Sequence, residues 1–171
     1  MRRMLSGMIL AMMLSAGTAG AQAMAGMDDA GRTAETMDIA VLTQQAESGD
    51  AAAQLRLADD YFSGNGVDQD YGRAMAWYEK AASQGNVEAQ TELGVIYCKG
   101  LGVPVDYAKA LYWTQKAADA GYAGAQYNLG VAYDNGFGVT RDVAAAFGWY
   151  LKSAGQGYDS AQFNVGNMYE T

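Results

Sequence analysis

Carboxylates are the only abundant reactive side chains in this 171-residue sequence, which has no histidine and one cysteine. Three pairs lie close together in the chain: Asp59 with Asp60, Asp68 with Asp70, and Glu88 with Glu92. Such a pair could supply a general acid and a general base, but only if burial perturbs the pKa values of its members. Asp70 is placed to cap a helix, and the other carboxylates fall on helix faces that are predicted to be solvated. Acid–base catalysis by these pairs is therefore not expected.

The remaining composition removes other kinds of active site. Without histidine there is no Cys/His zinc site and no Ser-His-Asp or Cys-His triad, and one cysteine cannot form an intramolecular disulfide. The serine motifs of β-lactam-acylating and esterase-type enzymes are also absent. The Gly-x-Gly segments lack the context of a phosphate loop, and their acidic neighbours do not complete a calcium-binding loop. The sequence thus predicts no enzyme activity, no metal site and no cofactor.

The net charge of −8, from 11 basic and 19 acidic residues, also limits the partners. A surface of this sign repels phosphate backbones and anionic lipids, so nucleic-acid binding is not expected. Half of the residues are apolar, which is typical of a globular chain and not of a disordered one.

The first residues have the pattern of a secretory signal peptide. Arg2 and Arg3 precede an uncharged apolar stretch over 4–16, and small residues then fit an A-x-A cleavage site ending at Ala21 or Ala23. We therefore predict a signal peptide over 1–23, a flexible linker over 24–32, and a periplasmic or secreted mature protein. The apolar stretch is too short to span a bilayer, and no cysteine follows it for lipid attachment. Membrane insertion after signal cleavage is not expected.

A repeat of 36 residues fills the rest of the chain. Glycines recur at 49, 85, 121 and 157, and aligning the sequence on them brings nearly every large side chain into register. The predicted units are 49–84, 85–120, 121–156 and a partial unit at 157–171, preceded by a diverged half repeat at 33–48. The partial unit would expose apolar residues, which favours a docking surface, an unusual cap or a truncated sequence.

Each unit has the spacing of two helices joined by a glycine loop. Ala53, Leu57, Ala58 and Tyr61 form one stripe of a first helix, which we call helix A, and Gly64 is suited to its C-terminus. An aspartate after each loop is placed as the N-cap of a second helix, helix B: Asp70, Asp106 and Asp142. The phase of Trp77, Trp113 and Trp149 with the alanines of helix B predicts that these rings pack in the core.

One such helix pair cannot bury its apolar face alone, whereas stacked pairs can. The sequence therefore predicts an all-α chain, an α/α solenoid of antiparallel helix pairs with about eight helices.

The repeated pattern resembles the Sel-one-like repeats, 36-residue relatives of tetratricopeptide repeats. The resemblance rests on Ala-Gln-x-x-Leu-Gly-x-x-Tyr, Gly-x-Gly-Val-x-x-Asp and Ala-x-x-Trp-Tyr-x-Lys-Ala-Ala, and it covers 49–169. It implies a right-handed superhelix used for protein–protein assembly, often in exported bacterial proteins. Three positions depart from the pattern: Ala58 replaces the glycine of helix A, Thr114 replaces the tyrosine after Trp113, and Ala145 replaces a basic residue.

The resemblance also implies that helix A lines a concave binding face. The helix A positions that vary between units while the packing positions stay constant are the predicted contacts: Arg56, Asp59, Phe62, Glu92, Val95, Lys99, Tyr127, Asn128, Val131, Asp134, Asn164 and Asn167, together with Leu55 and Thr91. Their mixture of amide, aromatic and apolar groups favours an extended peptide or partner segment.

These observations favour an exported bacterial protein–protein interaction module, an adaptor or regulator in the cell envelope. A noncatalytic binder of peptidoglycan fragments and a weak β-lactam or cell-wall hydrolase are the alternatives. Self-association could involve the C-terminal half repeat or Cys98. That thiol is otherwise expected to be an inert small apolar group.

Overall fold

The structure, a computed structural model, describes the backbone of residues 29–169 and the side chains from residue 38. These residues form eight helices: α1 Asp29–Glu47, α2 Ala51–Ser63, α3 Tyr71–Ser83, α4 Val87–Lys99, α5 Tyr107–Asp119, α6 Ala123–Asn135, α7 Val143–Ala154 and α8 Asp159–Tyr169. The predicted signal peptide lies outside the described residues. Helix α1 begins at Asp29, within the predicted linker and four residues before the predicted half repeat.

Consecutive helices pack in pairs and stack in chain order, which confirms the predicted all-α solenoid. Helices α2, α4, α6 and α8 are the helix A elements, and α3, α5 and α7 are the helix B elements. Helix α1 has the helix B place in front of the first complete pair. Contacts are densest within each A–B pair and continue to the next helix along the chain. Each helix therefore depends on its sequence neighbours for burial.

The predicted turn chemistry is confirmed at every loop between helix A and helix B. Gly64 ends α2 with a φ of 76°, a left-handed conformation that a side chain with a Cβ rarely adopts. At the other end of the loop, the carboxylate of Asp70 accepts a hydrogen bond from the backbone N–H of Arg73 at 2.9 Å. Asp106 and Asp142 cap α5 and α7 in the same way.

The Ala-Gln pair of each unit joins it to the preceding helix. Gln54, Gln90 and Gln126 are buried, and each side-chain amide donates to a backbone carbonyl eight residues earlier, at 2.9, 3.0 and 3.3 Å. These acceptors, Ala46, Ala82 and Ala118, lie near the C-termini of the preceding helices. The glutamine is therefore a latch between successive helices, a role that the sequence pattern alone did not reveal.

The core consists of alanines from both layers with Leu57, Leu93, Leu129, Tyr78 and Tyr150, all of which are almost fully buried. The tryptophan prediction was wrong in part, because the three rings are only half-buried and pack against the edge of this core. A lysine three residues later covers each ring, with Nζ of Lys80 lying 3.6 Å from the ring centroid of Trp77. The tryptophans therefore form the boundary between core and solvent.

Candidate functional site

The helix A elements lie side by side, and a groove separates each neighbouring pair. The first groove lies between α2 and α4 above α3, the central groove between α4 and α6 above α5, and the third groove between α6 and α8 above α7. Each helix B therefore forms the floor of one groove. One helix B residue decides how far each groove is filled. It is Tyr78 in the first groove, Thr114 in the central groove and Tyr150 in the third groove, at positions 36 residues apart.

The twelve predicted contact residues are distributed over these grooves and their rims. Arg56, Asp59, Lys99 and Asn167 are exposed, and the other eight are half-buried: Phe62, Glu92, Val95, Tyr127, Asn128, Val131, Asp134 and Asn164. Four of the twelve come together around one cavity in the central groove: Val95, Lys99, Asn128 and Val131. The others lie along the flanking grooves and are not brought together at one point.

The first groove is closed by the phenol of Tyr78. Its hydroxyl donates a hydrogen bond of 2.6 Å to the carboxylate of Asp59, and the ring lies edge-on to Phe62 at 6.4 Å between centroids. Burial and the neighbouring Asp59 carboxylate raise the pKa of Tyr78 far above its ordinary value, so the phenol remains a protonated donor. Two predicted contact residues thus hold an internal side chain in this groove.

The carboxylates around this groove are less solvated than the helix pattern predicted. Asp59 is exposed as a residue, but its carboxyl group is partly desolvated where it meets Tyr78. This desolvation, reinforced by the charges of Asp60 and Glu88, raises the pKa of Asp59, although the hydrogen bond from Tyr78 acts in the opposite direction. Burial, followed by the charge of Asp59, also raises the pKa of Glu92. Asp60 is buried as well, and its carboxylate accepts a hydrogen bond of 2.9 Å from the side-chain amide of Asn65.

The expectation that these acids lie on solvated faces was therefore wrong for Asp60 and Glu92. It considered each helix alone, whereas the loop and the neighbouring helices cover the side chains. Both carboxylates of the Asp59–Asp60 pair are engaged in hydrogen bonds, Asp60 with Asn65 and Asp59 with Tyr78.

The third groove is closed in a similar way. The ring of Tyr150 lies 5.7 Å from that of Tyr127, which lies 5.2 Å from that of Tyr158. The side-chain amide of Asn164 lies beside the phenols of Tyr127 and Tyr150 and acts to lower the pKa of both. Burial raises the pKa of both phenols, with further contributions from neighbouring charges. Asn164 on α8 therefore lies beside the tyrosine of the third groove, as Asp59 on α2 lies beside the tyrosine of the first groove.

The central groove is open because Thr114 stands where the other two units have tyrosine. A cavity of about 300 Å³ lies in the groove, lined by Val95 and Cys98 of α4, Leu111 and Thr114 of α5, and Val131 of α6, among others. Its walls are predominantly apolar, and the polar side chains among the lining residues are Lys99, Tyr107, Thr114 and Asn128. The arrangement can hold a compact apolar group and offer hydrogen bonds to whatever follows it.

Several residues of this cavity were missed by the sequence analysis, because they come from helix B and from a loop: Tyr107, Leu111, Thr114 and Phe137. One signal was available, since Thr114 is a departure from the repeat pattern. Cys98 is half-buried in the cavity wall, and burial raises the pKa of its thiol. The thiol is therefore a poor nucleophile and contributes mainly as a small apolar surface.

Within the described part of the chain, no group of three or more acidic or cysteine side chains has an arrangement that could hold a metal ion. No helix among these residues is long and apolar enough to cross a membrane.

Known proteins of similar sequence and structure share this architecture. The "Secretory immunoglobulin A-binding protein EsiB" of Escherichia coli is 50% identical over 40 residues, which are 23% of this chain and 8% of that protein. Among solved structures, an SLR-fold protective antigen of uropathogenic Escherichia coli, c5321, is 46% identical, with a TM-score of 0.75 over 77% of this chain and 28% of that one. This chain therefore spans only a small part of either relative.

Two further solved structures are matched over nearly their whole length. A Sel1 repeat protein from Oxalobacter formigenes is 38% identical, with a TM-score of 0.69 over 76% of this chain and 98% of that one. Cysteine-rich protein B of Helicobacter pylori is 20% identical, with a TM-score of 0.59 over 76% of this chain and 93% of that one, and it shows the fold alone.

The family comparison agrees with the repeat register. The model described as "Sel1 repeat" matches residues 51–86, 87–122, 123–158 and 159–171, two residues later than the boundaries predicted from the glycines. Sel1 repeats are helical protein-interaction modules and are generally noncatalytic scaffolds. Since these matches cover most of the sequence, the chain belongs to the Sel1 repeat family.

Proposed function

We propose that this protein is an exported bacterial adaptor or regulator of the cell envelope that binds a partner protein or peptide along its helix A grooves. The observation that carries the proposal is the contrast between a constant frame and variable grooves. The latch glutamines, capping aspartates and packing leucines repeat from unit to unit, whereas the helix A positions 56, 92 and 128 are Arg, Glu and Asn. Variable side chains on a constant frame are typical of a repeat surface that recognises a specific partner.

The chemistry of the grooves favours a polypeptide as the ligand. An apolar cavity in the central groove is followed along the same layer by the half-buried amides of Asn128 and Asn164 and by the carboxylate of Glu92. Apolar pockets that alternate with hydrogen-bonding side chains suit an extended segment, whose side chains fill pockets while its backbone seeks donors and acceptors.

Export and a partner outside the cytoplasm are supported by the N-terminal sequence and by the relatives. Residues 1–23 have the pattern of a signal peptide, and one relative carries a name that describes binding to secretory immunoglobulin A. We therefore place the mature chain in the periplasm or outside the cell. Its mass after expression in a bacterium tests this, because cleavage after Ala21 or Ala23 is expected and an intact Met1 would contradict it.

Photo-crosslinking in living cells tests the binding face. The crosslinker p-benzoyl-phenylalanine replaces Arg56 or Asn167, which are exposed on helix A elements, or Tyr112, which is 55% exposed on α5. Tyr112 is the matched control, because its position on α5 is rotated away from the residues that line the central groove. We expect the same adduct from Arg56 and Asn167 and none from Tyr112.

Adducts of equal yield at all three positions, or none at either helix A position in a correctly folded chain, would refute the proposed face. Mass spectrometry of the adduct then identifies the partner and the segment that contacts each position.

A further inference from the structure

The central groove has the frame for an aromatic ring that its own helix B does not supply. In the third groove the ring of Tyr150 rests directly on Gly130, where an added Cβ would lie 2.6 Å from the ring. Gly94 has the same place beneath the central groove, where the side-chain hydroxyl of Thr114 fills the space that an added Cβ would need. The smaller Thr114 therefore stands in place of the ring, and the space that the rest of a ring would fill stays open as the cavity.

Part of the surroundings of Tyr150 recurs at the cavity, although Tyr127, which lies 5.7 Å from Tyr150, is replaced there by Thr91. Val131 lies beside Gly130, and Val95 lies beside Gly94, at positions 36 residues apart. The amide of Asn164 lies beside the phenol of Tyr150, and Asn128 is its counterpart in the central groove. The cavity of about 300 Å³ exceeds the roughly 150 Å³ that is sufficient to hold benzene.

The charged side chains near the cavity favour one kind of partner segment. Lys99 is the charged side chain that lines the cavity itself. Asp59, Glu88 and Glu92 lie beyond it toward the first groove, close enough to influence one another, and Lys99 opposes their charge at Glu92. Three carboxylates with one ammonium group leave this part of the helix A layer negative, on a chain whose net charge is already −8. A segment with basic residues is therefore attracted to the surface beside the cavity.

We propose that the central cavity receives an aromatic side chain from an extended, basic segment of the partner protein. This proposal rests on the proposed function and names the chemistry of the segment. The ring enters from the helix A side, with its tip toward Thr114 and its faces against Val95 and Val131. The segment's backbone then lies near Asn128, and its basic side chains lie toward Glu92.

Peptide titration followed by NMR tests this on the purified mature chain. The probes are three blocked pentapeptides: Gly-Lys-Phe-Lys-Gly, the same peptide with Ala for Phe, and Gly-Glu-Phe-Glu-Gly. We expect the first to shift the amide signals of Val95, Cys98 and Val131, to bind at least tenfold more tightly than the Ala peptide, and to bind at least threefold more tightly than the Glu peptide.

Filling the cavity is the decisive variant. Thr114→Tyr installs the ring that the other units carry, and Val131→Phe fills the same space from α6 in case the first variant does not fold. Either variant is expected to abolish the preference for Phe over Ala. Tyr112→Thr is the matched control, because it exchanges the same two residue types on the outer side of α5, and it keeps the preference.

Equal affinities for the Phe and Ala peptides, a preference that survives in both filled variants, or equal affinities for the Lys and Glu peptides would overturn the proposal. Repeating the crosslinking at Arg56 and Asn167 in the Thr114→Tyr chain separates the two proposals. Adducts that persist there leave the helix A face as the binding surface but reject the cavity as its anchor. Adducts that are absent even from the unfilled chain reject the proposed function.

Discussion

The glutamine latch makes the stability of the solenoid depend on one atom in each unit, and Gln90→Glu tests that dependence. The substitution preserves the shape of the side chain but replaces the amide donor with a carboxylate oxygen facing the carbonyl of Ala82, now 3.0 Å from the amide nitrogen. Gln90 is 5% exposed, so the charge cannot be hydrated in place. A protonated carboxyl, in contrast, would donate to the same carbonyl and restore the latch.

The loss of stability in Gln90→Glu has an upper bound, because the new side chain can be buried in its protonated form. The side chain can always escape the charge penalty by binding a proton, and for a glutamate this costs about 3.7 kcal/mol at pH 7 and about 1 kcal/mol at pH 5. We therefore expect Gln90→Glu to lower the free energy of unfolding by about 3 kcal/mol at pH 7. The deficit should shrink to about 1 kcal/mol at pH 5, because the folded chain raises the pKa of the new carboxyl and stability falls as the pH rises toward it.

Urea unfolding followed by circular dichroism measures both values, at pH 5.0 and 7.0, above the sequence pI of about 4.3. Gln162→Glu is the matched control, since Gln162 makes the equivalent contact at 3.4 Å but is exposed. It is expected to change stability by less than about 0.5 kcal/mol at either pH. A deficit in Gln90→Glu that does not depend on pH, or equal effects at the two positions, would refute the latch mechanism.

Three further expectations follow from contacts in single units. Ala120→Gln should raise the free energy of unfolding by about 0.5–1 kcal/mol in a urea titration. The reason is that Gln84 and Gln156, at the equivalent positions, each donate to a latch glutamine at 2.8 Å, so Gln at 120 would donate to Gln90. A free energy of unfolding no higher than that of the wild type would contradict this expectation. Thr114→Tyr should stabilise by about 1 kcal/mol in thermal unfolding, as a cavity-filling change on a prepared frame; a lower Tm would show that the frame does not fit a ring. Because burial raises the pKa of Glu92, the wild type should lose stability as the pH rises above 4.5. Glu92→Gln should lose less stability over the same pH range. Parallel curves of unfolding free energy against pH for the two proteins would contradict this expectation.

Local chemistry explains what could be predicted from the sequence. Gly64 and Asp70 act within a few residues of their own positions, so a turn and a cap can be identified from residue type and spacing. The period of 36 residues then fixes the order of the helices, and stacking follows because no single pair can bury its apolar face. The position of each predicted groove residue on a helix A element follows from the same register.

What could not be predicted depends on contacts between helices. The carboxylate of Asp59 is held by Tyr78, 19 residues away on the next helix, and no pattern within α2 indicates this partner. The latch of Gln90 ends on a backbone carbonyl, which any residue type supplies. Thr114 was recognised as a departure from the repeat, but only the positions of α4 and α6 around it show that the departure leaves a cavity.

The three grooves show how one repeated frame can carry different surfaces without losing stability. Tyr78 and Tyr150 close the outer grooves, Tyr78 with a hydrogen bond to Asp59 and Tyr150 with its ring packed against that of Tyr127. The central groove gives up such a ring, yet it lies between two pairs that keep theirs, and it is latched on both sides by Gln90 and Gln126. In a solenoid each unit is stabilised by its neighbours, so an open position is tolerated best where both neighbours are closed. A unit between two closed neighbours is therefore the place where this fold can exchange core packing for a binding cavity at the smallest loss of stability.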